Sequence, residues 1–167
     1  MIIRAEREGE QAAIGMVTAA AFAGMLYSDQ TEPLIIERLR DAGALTLSLV
    51  AEEAGAIVRH VAFSPISLSG GDEGWYGLGP ISVAPAHQGK GVGSRLVSEG
   101  LDELRALGAA GCVLLGDPAY YQRFGFRLDH GLVLPDVPPG HFQALLLHGP
   151  DALGIVAFHP GFYGTAQ

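Results

Sequence analysis

Cysteine is almost missing from this chain of 167 residues: Cys112 stands alone. That excludes an intramolecular disulfide framework and a multi-cysteine metal site. Its neighbours Val113, Leu114 and Leu115 read as a buried strand, where a thiol behaves as a small apolar group rather than a nucleophile. Positive charge is also scarce. Ten Lys and Arg face eighteen Asp and Glu, the net charge is -8, and Lys90 is the only lysine. Phosphate backbones attract basic faces, so no nucleic-acid partner is expected. No long, strongly apolar run occurs. Gln11 to Ser28 lacks charge but is rich in alanine and glycine, interrupted by Thr18 and preceded by the acidic stretch Glu6 to Glu10. A membrane span wants stronger hydrophobicity and a signal peptide a basic start, so this segment reads as a packed helix of a cytoplasmic protein. The six histidines, His60, His87, His130, His141, His148 and His159, include no pair at helical ligand spacing, and no metal is expected.

What remains is a globular composition, 49% apolar and 17% charged, at a length that suits one domain over residues 1–167 with a substantial core. Ile2 to Arg4 reads as a first strand. Gly9 to Phe22 follows as a helix with Ile14, Val17 and Ala21 at helical spacing. A second helix starts near Thr31, with Pro33 in its first turn, and ends by Gly43. Leu45 to Glu52 and Ala56 to Phe63 pair as strands around Glu53-Ala54-Gly55. After a polar loop from Pro65 to Glu73, Trp75 to Val83 forms the fourth strand. A helix with Val97, Leu101 and Leu104 on one side stops near Gly108, and Cys112 to Leu115 follows as a strand. Asp117 then caps a short helix that carries Pro118 at its first position and runs to Phe124. Further strands are expected at Phe126 to Leu128, Ala144 to Leu147 and Ile155 to His159, with an irregular crossing from Gly131 to Gly140. The order β-α-α-β-β-β-α-β-α-β-β describes a mixed α/β sandwich.

The strand ending at Val83 runs into Gln88-Gly89-Lys90-Gly91-Val92-Gly93-Ser94, with Arg95 next. Glycines at 89, 91 and 93 let the backbone curl and expose successive N–H groups, and the following helix adds its positive end. Together they make a cradle for a phosphate or diphosphate. No acid occurs between Glu73 and Glu99. A Walker loop would need Gly-Lys-Ser/Thr, and a Rossmann turn would need an acid about 20 residues on within alternating strands and helices; neither is present. A glycine-rich turn without a ligand is the plain structural reading of the same residues.

The string Gln88 to Gly93 resembles the acyl-CoA loop of the GNAT superfamily of N-acetyltransferases, whose signature is Gln/Arg-x-x-Gly-x-Gly/Ala. A second string, Gly116-Asp117-Pro118-Ala119-Tyr120-Tyr121-Gln122-Arg123-Phe124-Gly125-Phe126, is similar to the family's Tyr-x-x-φ-Gly-Phe helix end, φ being apolar. Where the family often has asparagine after the preceding strand, this chain has Gly116-Asp117, as in a branch of bacterial predicted acetyltransferases with Gly-Asp-Pro-x-Tyr-Tyr. The resemblance covers nearly the whole chain. It implies a mixed, mostly antiparallel sheet of about seven strands flanked by helices and splayed between the fourth and fifth. It also implies an enzyme using acetyl-CoA as cosubstrate, with the diphosphate on Gln88 to Ser94 and the acyl-pantetheine arm beside Ile81, Ser82 and Val83.

Such chemistry joins an acyl thioester to an amine, passes through an oxyanion and expels a thiolate. The oxyanion needs a fixed main-chain donor, and Pro80, which cannot donate, interrupts the ladder beside Ile81. A phenol of pKa about 10 can protonate a thiolate whose thiol pKa is near ~8.5, and the resemblance places Tyr121 there; the other reading is a tyrosine packed on the cofactor. Tyr120 points about 100° away and is the rival acid or a lining residue. For the base, Glu73 at the mouth of the fourth strand is the nearest acid, against its reading as a solvated loop charge; Glu52 and Glu53 read as hairpin surface. The acceptor is an amine, with a small molecule preferred over a protein amine and a homodimer allowed. A non-catalytic acyl-CoA sensor and a nucleotide binder are the competing classes.

Overall fold

The computed structural model describes residues 1–88 and 93–163. In chain order the elements are β1 (Ile2–Ala5), α1 (Gln11–Phe22), α2 (Glu32–Asp41), β2 (Leu47–Glu53), β3 (Ala56–Pro65), β4 (Ser67–Leu68), β5 (Trp75–Val83), α3 (Gly93–Ala106), β6 (Gly111–Leu115), α4 (Pro118–Tyr121), β7 (Gly131–Val133), β8 (Phe142–Leu146) and β9 (Leu153–Ala157). Six strands form one sheet in the order β1-β2-β3-β5-β6-β8, antiparallel except where β5 meets β6. A smaller sheet, β4-β9-β7, replaces the seventh strand expected of a single sheet.

Alternation along the strands decides which helix covers which face. Leu49, Val61 and Phe63 turn to one side and meet Leu96, Val97, Leu101 and Leu104 of α3, all at most 2% exposed. Val50 turns to the other side, where Ile14 of α1 and Ile36 of α2 cover it. Cutting a leucine as deeply placed as Leu96 back to alanine costs about 2–5 kcal/mol. α3 lies close to the sheet because Gly100 admits the Phe63 ring; a methyl group there would sit 2.4 Å from the ring edge.

Three stretches differ from the reading of the sequence: the first is the expected loop from Pro65 to Glu73, which holds β4 (Ser67–Leu68), paired with β9. Phe126 to Leu128 makes a single bridge, Arg127 to Ala144, rather than a strand. The segment is short and starts beside Gly125, whose left-handed φ of 97° turns the chain just before it. Within the proline-rich stretch from 131 to 140, β7 forms and pairs in parallel with β9, burying Leu132 between exposed neighbours. Three residues among prolines are too few for a periodic signal. Among the described residues no helix is long and apolar enough to cross a membrane.

Candidate active site

The site begins where β5 parts from β6. The two strands pair only from Trp75 opposite Gly111 to Gly77 opposite Val113, after which β5 continues alone on that edge. On its other edge β5 stays paired with β3, but the register slips: Phe63 faces Leu78 and Val61 faces Ile81. Gly79 and Pro80 therefore oppose Ala62 alone, a bulge of the kind that redirects main-chain groups. The break lies beside Pro80, which offers no N–H to the ladder. Past it, Ile81 and Val83 are half-buried and share the α3 side with Val61 and Arg59. Ser82 faces the opposite side. Its hydroxyl is buried and donates to Thr18 Oγ1 at 3.1 Å, so only its main chain is left for a ligand.

At the end of β5 the chain makes one 3-10 turn, Pro85–His87, and Gln88 folds back to donate from Nε2 to the Val83 carbonyl at 3.2 Å. Gly89, Lys90, Gly91 and Val92 lie outside the described residues; Gly93 opens α3 and Ser94 stands in its first turn. Arg59, only 2% exposed, reaches from β3 and donates to the His87 carbonyl at 2.5 Å. On the outside of the turn, His87 Nε2 meets a Glu53 carboxylate oxygen at 3.0 Å.

On the far side of the splay, Asp117 caps α4 by accepting from the Ala119 N–H at 2.9 Å, as its place before Pro118 predicts. This sets the two tyrosines at right angles, with ring planes 85° apart and centroids 4.8 Å apart. Tyr121 turns inward. It packs on the central core and lies edge-on to Phe126, its ring against Gly116. Burial, with Tyr120 and Tyr27 adding, pushes its hydroxyl up to about 12, so the phenol stays protonated through neutral pH. Tyr120 turns toward α3, its hydroxyl 3.4 Å from Ser94 Oγ and its ring 4.3 Å beneath the Arg123 guanidinium. Gln143 of β8, fully buried, donates to the Gly116 carbonyl at 2.9 Å and so holds the floor under Tyr121.

Glu73 is exposed and lines a cleft of about 400 Å³ with Ser67, Asp72, Trp75 and Tyr76. Among the described residues no hydrogen bond or ion pair joins it to Tyr121. Cys112 is fully buried, and burial raises its thiol pKa, which suppresses the thiolate. No group of three or more His, Cys, Asp or Glu among the described residues is spaced to hold a metal ion.

A parallel splay beside a bulged strand, a strand–turn–helix sequence and an inward tyrosine after the next strand are the parts of one known architecture. The family described as Acetyltransferase (GNAT) matches residues 16–126. The chain belongs to the GNAT acetyltransferase family. It is 40% identical over 143 residues to the uncharacterized N-acetyltransferase YhbS of Escherichia coli (strain K12), covering 81% of this chain and 86% of that protein. A GNAT family acetyltransferase from Brucella melitensis, solved in complex with acetyl-CoA, shares 51% identity at a TM-score of 0.86, over 96% of this chain and 97% of that one. The crystal structure of Escherichia coli YhbS in complex with CoA shares 34% identity at a TM-score of 0.87, over 99% and 93%.

The sequence motifs point to Tyr121, to the break beside Pro80 and to Gln88 to Ser94, of which Gly89 to Val92 lie outside the described residues; they do not single out Arg59 or Gln143, and they include Gly116 without a role. Each of the last three left a faint trace. Arg59 and Gln143 are polar residues on mostly apolar strands, and Gly116 directly follows β6 at the head of the Gly116 to Phe126 string.

Proposed function

We propose that the protein, an acetyl-CoA-dependent acetyltransferase, moves the acetyl group by direct attack of a primary amine on the thioester in a ternary complex. The observation that carries this reading is the inward, half-buried phenol of Tyr121, its pKa raised by desolvation, beside the splay of β5 and β6. The buried Cys112 supports direct attack, because a suppressed thiolate cannot carry an acyl-enzyme intermediate.

In this reading the diphosphate of the cosubstrate sits on main-chain amides of Gln88 to Ser94, and the acyl arm lies along Ile81, Ser82 and Val83. The bulge opposite Ala62 leaves a β5 N–H for the oxyanion, a type of contact worth roughly 3–4 kcal/mol in the transition state. Glu73 takes the amine proton, directly or through water. Tyr121 donates to the sulfur as the carbon–sulfur bond lengthens. Its acidity matters here. A phenol at about 12 is weaker than a thiol near ~8.5, so complete transfer ahead of bond cleavage is uphill. The phenol therefore acts as a hydrogen-bond donor to the growing negative charge; full proton transfer stays uphill after the carbon–sulfur bond has broken, and the released thiolate takes its proton from water.

The acceptor is a small-molecule amine. The segment joining α1 and α2 brings Tyr27 close enough to influence Tyr121, and it leaves Leu26 and Tyr27 exposed as an apolar rim for the acceptor's carbon skeleton. Thiol release measured across an amine panel tests the reading. Tyr121→Phe is expected to keep CoA affinity within about two-fold and to lower turnover about 10²-fold or more. Tight acetyl-CoA binding by wild type without turnover on any amine would favour the sensor class instead.

A further inference from the structure

Among the described residues Arg59 is a buried cation without an anion. It is 2% exposed, its Nε finds no hydrogen-bond partner, and no carboxylate forms an ion pair with it among the described residues. Its one described bond is to a neutral group, the His87 carbonyl. Glu53, the acid nearest in its influence, is spent on His87 at the surface. Burying a charge unpaired costs several kcal/mol, and proteins keep such groups where a partner arrives from outside. Burial accordingly disfavours the charged form of this guanidinium in the ligand-free protein.

Position says which partner. Arg59 stands opposite Val83, the last residue of β5, and holds the carbonyl of the residue just before Gln88. Its charge lies against the carbonyl of His87, in a protein of net charge -8. Tyr120 of α4 lies within electrostatic reach of Arg59, and its hydroxyl meets Ser94 in the first turn of α3. The guanidinium is thus tied to the turn that ends β5 and lies within electrostatic reach of the tyrosine that meets the start of α3.

We propose that Arg59 is the counter-charge for the phosphates of acetyl-CoA, acting from β3 beside the end of β5 while it pins the His87 carbonyl. The inference rests on the transfer reading above. It makes Arg59 a binding and positioning residue, not a catalytic one. In the free protein the charge is a liability; the phosphates relieve it, so part of the stored cost returns as affinity.

Three variants and two donors test this. Arg59→Gln removes the charge but keeps a donor for the His87 carbonyl. Arg59→Met removes both, and Arg59→Lys restores the charge. The donors are acetyl-CoA and acetyl-pantetheine, which carries the same thioester without diphosphate or nucleotide. Calorimetry with CoA and steady-state kinetics should show Arg59→Gln and Arg59→Met about ten-fold weaker in Kd for CoA and KM for acetyl-CoA, with Arg59→Lys recovering most of the loss. Turnover with acetyl-pantetheine should fall no more than about two-fold. Thermal unfolding should find Arg59→Met at least as stable as wild type without ligand. Wild-type affinity for CoA in Arg59→Gln, or equal losses with both donors, would overturn the inference alone. Failure of wild type to bind CoA at all would instead overturn the transfer reading, and this inference with it.

Discussion

The ring of Tyr121 rests on Gly116 so closely that a methyl group on that glycine would lie 2.5 Å from Cε2. The glycine is required by the space the ring occupies. The Gln143 amide fixes the same glycine from behind through its carbonyl, so ring and strand end are set as a unit.

Gly116→Ala therefore pushes the Tyr121 ring out of place. Turnover should fall about ten-fold or more while CoA affinity holds, and stability should drop by about 1–3 kcal/mol, the usual cost of overpacking. Steady-state kinetics and denaturant melts check both. A variant with wild-type turnover would mean that the position of the ring is irrelevant to the chemistry.

Tyr120 and Tyr121 should separate cleanly. Tyr120→Phe loses a 3.4 Å contact to Ser94, long for a hydrogen bond, and should change acetyl-CoA KM no more than about three-fold with kcat intact. If Tyr120→Phe abolishes turnover and Tyr121→Phe does not, the donor to the sulfur is the outward tyrosine.

His60 should make stability depend on mild acid. Arg40 holds the Glu6 carboxylate, with Nε–O at 3.0 Å, so Glu6 accepts from the Ser48 hydroxyl. Ser48 must then accept from His60 Nε2–H at 2.7 Å, which leaves Nδ1 bare, buried and without a partner. A proton added there has nowhere to donate, and burial lowers the His60 pKa to about 4. The unfolded chain takes up this proton near pH ~6.5. Stability is thus full above that pH and declines as the pH falls from there toward 4, by up to a few kcal/mol. Urea unfolding at pH 7.5 and pH 5 should show the decline, and His60→Gln should reduce it. A variant whose stability changes with pH as steeply as wild type would assign the slope to other groups.

Glu73→Gln probes the base. As the proton acceptor, Glu73 should cost about 10²-fold in kcat/KM on replacement. A loss under two-fold would hand the proton to water, in keeping with the exposed position of Glu73 and its lack of a partner among the described residues.

Local sequence determined much of this protein. The spacing of Val97, Leu101 and Leu104, the Asp117-Pro118 cap and the proline break in β5 each act within a few residues. Helix face, cap and ladder break are therefore legible before any long-range contact is known. The tertiary structure alone decided what pairing across the sheet controls. It turned the Ser82 hydroxyl to Thr18, closed His60 away from water behind Ser48, and set Arg59 opposite Val83 against the His87 carbonyl. The physical reason is that burial and counter-charge belong to neighbours brought together from 12 to 64 positions apart in the chain. No window of sequence contains both partners of such a contact and the surface that covers them.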